Sequence, residues 1–331
     1  MKKIIFLTLV SLLVVCCKEN SDGSEKPEER ILLDSSGKIN LITVVTDNSL
    51  WEGEVGDTIR DLLAAPFKGL PQDEPIFNLA QMPTTSFTGF VKRSRSFLRI
   101  EKSPKLKKSL MIKHNVYAKP QTSIVITGAT DEDIISEITK NSSKIIEEFQ
   151  KTEIKEKQRR IKKSLKSDEK LNEKFGLSLN FPTAYRYATE GKNFTWIRKD
   201  IPKGLMEILI YQVPLNAIDK DTSTIVNIIK MRDSIGSEYV PGPVEGSYMV
   251  TEEAYAPYLF KTKINGHFAY ETRGTWEVKN AFMAGPFVNY AIRDEENNRY
   301  LVLEGFVFRP AKSKRNEIFE LDAILKSAKL K

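Results

Sequence analysis

Phe287-Val288-Asn289-Tyr290-Ala291-Ile292-Arg293-Asp294-Glu295-Glu296-Asn297-Asn298-Arg299-Tyr300-Leu301-Val302-Leu303-Glu304-Gly305-Phe306-Val307-Phe308 reads as two β-runs around a polar turn. Residues 293–299 carry the charge and the asparagines of a hairpin connection. Along the second run Tyr300, Val302, Phe306 and Phe308 alternate with Leu301, Leu303 and Val307. Side chains alternate across a strand, so both faces are apolar and both must be covered. Working outward, Phe268–Tyr270 and Trp276–Val278 extend a meander before the hairpin. Ile318, Phe319, Leu321, Ile324, Leu325 and Ala328 give the closing helix one apolar side. Upstream, Leu177–Pro182, Trp196–Arg198 and Met206–Tyr211 read as strands. Asp221 or Thr222 caps a helix bearing Ile225, Val226, Ile229 and Ile235, followed by the turn-rich loop 240–246. Helices with an antiparallel sheet predict an α+β layered domain over 176–331.

A second α+β domain is expected over 39–150. Ile39–Val45 is β-rich, and Trp51, Val55, Ile59, Leu62 and Leu63 follow at helical spacing, interrupted by Gly53 and Gly56. Phe97–Ile100, Ser109–Val116 and Ser123–Thr127 read as strands. Asp131, Glu132 and Asp133 open a helix with a stripe of Ile134, Ile135, Ile138, Ile145, Ile146 and Phe149. The stripe then thins. Residues 151–175, with ten basic and five acidic side chains up to Lys174, read as a charged helical bridge with a solvated face.

The N-terminus gives an address. Lys2 and Lys3 precede an apolar run, Ile4 to Val15, too short to span a bilayer. The chain's two cysteines, Cys16 and Cys17, end that run. Adjacent cysteines rarely bridge each other, and no third is present to pair. The arrangement resembles a bacterial lipoprotein signal: residues 1–16 as signal peptide, Cys17 as the lipidated residue and 17–38 as a flexible tether. Cys16 is the alternative; it would follow the bulkier Val15. The resemblance implies a membrane partner through the lipid anchor. With Lys18 after the cysteine and no aspartate there, it implies the outer membrane, on its periplasmic side. Without Lys2 and Lys3 the chain carries 49 basic and 44 acidic residues, a modest excess of +5. Its densest basic run has no interleaved aromatics, so nucleic acid is not an expected partner.

Two further resemblances concern the body. The order of Leu177–Pro182, the mid-domain helix, the meander after Gly266 and the last helix resembles the PsbP-like α-β-α sandwich. Glu271-Thr272-Arg273-Gly274-Thr275-Trp276-Glu277-Val278, Phe282-Met283-Ala284-Gly285-Pro286-Phe287 and Leu303-Glu304-Gly305-Phe306-Val307 resemble a family of uncharacterised lipoproteins of Bacteroidota-type bacteria. Ala284 stands where that pattern has a second glycine. The resemblance implies an envelope location and brings no catalytic residues.

The chemistry-bearing residues are sparse. His114 and His267 fall in different expected domains and suggest no metal site. The acidic run 294–298 lacks the glycine and closing glutamate of a calcium loop. No catalytic residue and no cofactor is assigned. Glu304, inside a strand apolar on both faces, needs a cation, and Arg273 is the expected partner. Such a pair serves either structure or ligand and acid–base chemistry. Trp276, Met283 and Phe287 beside Gly274 and Gly285 read either as a packed sheet corner or as an aromatic-lined groove. The leading functional expectation is a non-enzymatic interaction module with an envelope protein partner. The alternative is a small-ligand binder or enzyme whose pocket gathers Arg273, Trp276 and Glu304.

Overall fold

A computed structural model describes residues 31–219 and 223–331. The expected signal segment 1–16, Cys17 and the capping candidates Asp221 and Thr222 lie outside the described residues. The β-rich run becomes strand β1 (Leu41–Val45). The helix expected after it is split into α1 (Asn48–Glu52) and α2 (Glu54–Leu63). Gly56 makes the sharp join between them: a Cβ there would lie 1.9 Å from the Trp51 carbonyl oxygen. Strands β2 (Asn78–Met82), β3 (Ser96–Lys102), β4 (Ser109–His114) and β5 (Thr122–Gly128) complete a sheet of order β2-β1-β3-β5-β4. Only β4 runs antiparallel to its neighbour.

Helices α3 (Asp131–Lys140) and α4 (Ser142–Ile161) follow. Thr130 caps α3 by accepting from the Asp133 amide. With α2 they close a core in which Ile42, Val44, Leu98, Ile100, Ile124 and Ile126 meet Ile59, Ile134, Ile138, Ile145 and Phe149.

The charged run 151–175 is neither one helix nor a solvated bridge. Helix α4 ends at Ile161, and α5 (Glu169–Phe175) is a separate helix closed by Gly176 in the left-handed conformation. Thr152, Glu153 and Glu156 are buried. Counting charges misses this, because two of the acids turn inward: Glu153 meets Arg95, and Glu156 is covered by Arg159 and Arg160 of its own run. The tether also ends before residue 38. Asp34 and Ser36 form bridges with Lys119 and Ser94, and the Arg95 guanidinium donates to the carbonyls of Gly37 (3.2 Å) and Lys38 (2.5 Å).

In the second half, β6 (Leu177–Ser178) leads into β7 (Arg186–Glu190), β8 (Phe194–Ile201) and β9 (Gly204–Pro214). After α6 (Thr224–Tyr239) come β10 (Tyr248–Thr251), β11 (Tyr258–Ile264), β12 (His267–Lys279), β13 (Ala284–Asp294) and β14 (Arg299–Phe308). Helix α7 (Arg315–Leu325) and the short β15 (Lys329–Leu330) close the chain. The eight-stranded antiparallel sheet has the order β10-β12-β13-β14-β9-β8-β7, with β11 on the other half of β12. The strand expected over Leu177–Pro182 is shorter and lies outside this sheet, where β6 pairs with β15.

The alternation of β14 is realised. Leu301, Leu303 and Val307 join the core beneath α7, while Tyr300, Val302 and Phe306 join the core on the α6 face. The chain is thus an α+β protein built on two sheets, and residues 33–331 form one compact unit.

The halves are joined by charged and capping contacts. Lys157 of α4 pairs with Glu320 of α7 at 2.6 Å, and Lys199 of β8 pairs with the same carboxylate at 2.6 Å. The segment after α2 reaches across to β12 at Gly69 (φ 87°), where a Cβ would sit 2.8 Å from the Arg273 Cβ. It also carries Glu74, whose carboxylate accepts from the amides of Lys314 (2.6 Å) and Arg315 (3.0 Å) at the start of α7. Glu74 therefore caps a helix 240 residues away. Glu74→Ala should lower the unfolding free energy by about 1–2 kcal/mol. A urea titration checks this; an unchanged midpoint would remove Glu74 from the contacts that hold α7.

Candidate functional site

Glu304 is fully buried, as its strand context requires, but Arg273 is not its partner. Register explains why. Thr272, Asn289 and Glu304 stand in one row across β12, β13 and β14; Arg273, Val288 and Gly305 stand in the next. Neighbouring rows face opposite sides of a sheet. Glu304 points toward α6, where it accepts from Arg232 Nε (3.0 Å) and Asn289 Nδ2 (3.0 Å), with Arg232 Nη2 at ion-pair distance (2.9 Å). Arg232 is 1% exposed, donates to Thr251 Oγ1 at 2.9 Å and lies 3.9 Å from the Phe287 ring centroid. The expected stripe of Ile225, Val226, Ile229 and Ile235 does not point to Arg232: the buried face of α6 is Asn227, Ile228, Met231, Arg232 and Gly236, and Val226 is exposed.

Arg273 works on the other face. Its Nε donates to Glu271 (2.5 Å) and its Nη2 to Asp322 of α7 (2.9 Å). Asp322 also accepts from Tyr290 Oη (2.5 Å) and Lys326 Nζ (3.1 Å). Burial alone would raise the Asp322 carboxyl, but Lys326, Arg273 and the Tyr290 hydroxyl hold it down at about 2. Burial, then the charges of Asp322 and Glu271, push the Tyr290 phenol well above its usual range. Glu271, Arg273, Asp322 and Lys326 line a cleft of about 500 Å³ between α2, α4, β11 and α7.

Trp276 and Met283 belong to a third place. With Trp196, Phe306, Phe308 and Val240 they line an aromatic groove of about 210 Å³ on the α6 side of the sheet. The five residues expected to form one binding surface are therefore divided. Trp276 and Met283 share the groove, Arg273 lines the cleft, and Phe287 and Glu304 are buried with Arg232. His114 at the end of β4 meets Glu148 of α4 (3.3 Å), while His267 opens β12 in the second sheet.

The polar end of the groove is Glu207, 1% exposed. It accepts from Trp196 Nε1 (2.7 Å) and Arg198 Nε (2.9 Å). Burial outweighs these two donors and raises its carboxyl from 4.5 to about 7. Glu207 shares the signal that marked Glu304, a carboxylate within the apolar strand Met206–Tyr211, yet sequence reasoning passed over it. The folded-state value lies above the unfolded one. Its stabilising effect is complete below about pH 4.5 and is lost as pH rises through about 7. Stability should fall by on the order of 3 kcal/mol across that window. Urea midpoints followed by tryptophan fluorescence check this. If Glu207→Gln kept the same slope, another group would be responsible.

The chain matches two domains of unknown function. Residues 35–162 match one (DUF8532) and residues 164–327 the other (DUF4837). The matches meet just past the end of α4. No curated protein matches in sequence. A solved structure described as LpqN involved in cell envelope biogenesis of Mycobacterium tuberculosis is similar over 46% of this chain and 81% of that one. The identity is 10% and the TM-score 0.28. Among the described residues no helix is long and apolar enough to cross a membrane.

Proposed function

We propose that this protein is a cell-envelope lipoprotein, acylated at Cys17 and held on the periplasmic side of the outer membrane. Its body serves as a non-enzymatic interaction module for an envelope protein partner. The N-terminal sequence supports the address. The observation that carries the module reading is the Trp196–Trp276–Met283 groove. Its volume of about 210 Å³ is below the roughly 300 Å³ at which small-molecule sites begin. It suits one apolar side chain offered by another protein, the usual anchor of an interface hot spot. Beside Met283, Phe282 is wholly exposed, and Val244 of the adjoining loop is half exposed. A partner anchored in the groove would cover both.

The test is a photo-crosslinking amino acid at position 282 in native cells. One dominant protein adduct is expected. It should disappear with Met283→Glu, which places a charge in the groove, and with Cys17→Ser, which removes the anchor. Absence of any adduct above background would sink the module reading.

A further inference from the structure

The cleft beside Arg273 differs from the groove in size and charge. Its volume of about 500 Å³ lies within the roughly 300–1,000 Å³ range of small-molecule sites. Both halves of the chain supply its walls: Leu62 from α2, Ile146 and Ile154 from α4, and Phe319 from α7. Leu62, Ile146 and Ile154 are only partly buried, so they present apolar surface to the opening. The mouth is cationic. Lys68 and Lys261 are exposed there, and among the described residues neither lies within ion-pair distance of a carboxylate. Lys68 Nζ is held over the rings of Tyr258 (5.5 Å) and Phe260 (5.6 Å). Among the described residues Asp61 is the unpaired carboxylate on the lining; Glu271 and Asp322 are both engaged by Arg273. Arg273 itself keeps one buried nitrogen, Nη1, with no hydrogen-bond partner among the described residues.

We propose that this cleft binds a single-chain amphiphile with an anionic head group. The chain lies along Leu62, Ile146, Ile154 and Phe319, and the head group meets Lys68 and Lys261. An apolar slot satisfies the chain by excluding water. Two ammonium groups against the single carboxylate of Asp61 leave an excess of positive charge that favours a carboxylate or phosphate over a neutral or cationic head. The site is independent of the aromatic groove, so either can fail without the other.

The experiment uses the full chain in its native membranes and three photoreactive C16 probes: hexadecanoic acid, hexadecyl phosphate and hexadecyltrimethylammonium, each with a diazirine on the chain. Both anions should label peptides around Leu62 and Ile154, and the cation should label them about tenfold less, the scale of one charge-assisted hydrogen bond. The stronger of the two anions identifies a fatty acid or a phospholipid-derived ligand as the natural source. Lys68→Glu with Lys261→Glu, both at exposed positions, should reduce anion labelling about tenfold. Ile154→Trp, which fills the slot, should remove it. Adducts scattered over the surface, or equal labelling by the cation, would overturn the proposal. Cross-linking at position 282 should be unaffected by either variant.

Discussion

Arg232→Ala should lower the unfolding free energy by about 3–5 kcal/mol, the largest effect expected of any single substitution in the second half. Arg232 and Glu304 are both buried, with side chains 1% and 0% exposed. Removing the guanidinium leaves a carboxylate in the core with only Asn289 to satisfy it. It also strips Thr251 of a donor and Phe287 of the cation over its ring. Total stabilities run to about 5–15 kcal/mol, so much of the fold is at stake. Urea unfolding of the single variants and of Arg232→Met with Glu304→Leu tests this. Replacing both partners by apolar groups of similar size should recover most of the loss, because burying two charges costs about what their attraction returns. A loss under about 1 kcal/mol for Arg232→Ala would show that Glu304 finds water or another cation.

Glu153→Ala should cost a comparable amount, about 3–5 kcal/mol, and should act on the first sheet. The Glu153 carboxylate is fully buried and accepts from Arg95 Nε (2.9 Å) and Nη2 (3.0 Å), Ser96 Oγ (2.8 Å) and the Asn40 amide (2.8 Å). It thereby ties α4 to the starts of β1 and β3. Arg95, 1% exposed, would keep only carbonyl partners and Glu156 at 3.9 Å. Hydrogen exchange should accelerate first at Leu41–Val45 and Ser96–Ile100, before the second sheet responds. Uniform acceleration across both sheets would mean that the chain unfolds as one unit and that Glu153 is no local pin.

These two carboxylates show where sequence reasoning reaches and where it stops. Glu304 stood out because a strand apolar on both faces has no wet side for a charge. The same reasoning implies a buried cation, but not which one. Arg273 was the near neighbour in the meander; Arg232 is 72 residues away on a helix. Glu153 did not stand out, because it lies in a run where charge is abundant and charge usually means solvent. Trp276 and Met283 lie close in the chain, at one turn of the sheet, and line the same groove. Trp196 and Glu207 complete their groove from strands at the far side of β14.

The sequence by itself determined the local elements and the class. Alternation in β14 required a sheet covered on both sides, and the polar run 293–299 required a hairpin there. The isoleucine stripe from Ile134 to Phe149 required helices against a sheet, and together these specify α+β. Only the tertiary structure decided the parallel order of the first sheet, the cleft between α2, α4 and α7, and the partner of each buried charge. The physical reason is one of range. Periodicity reports which way a side chain faces relative to its own element. Strand order, ion pairing and cavities depend on which residues far apart in the chain arrive at the same place.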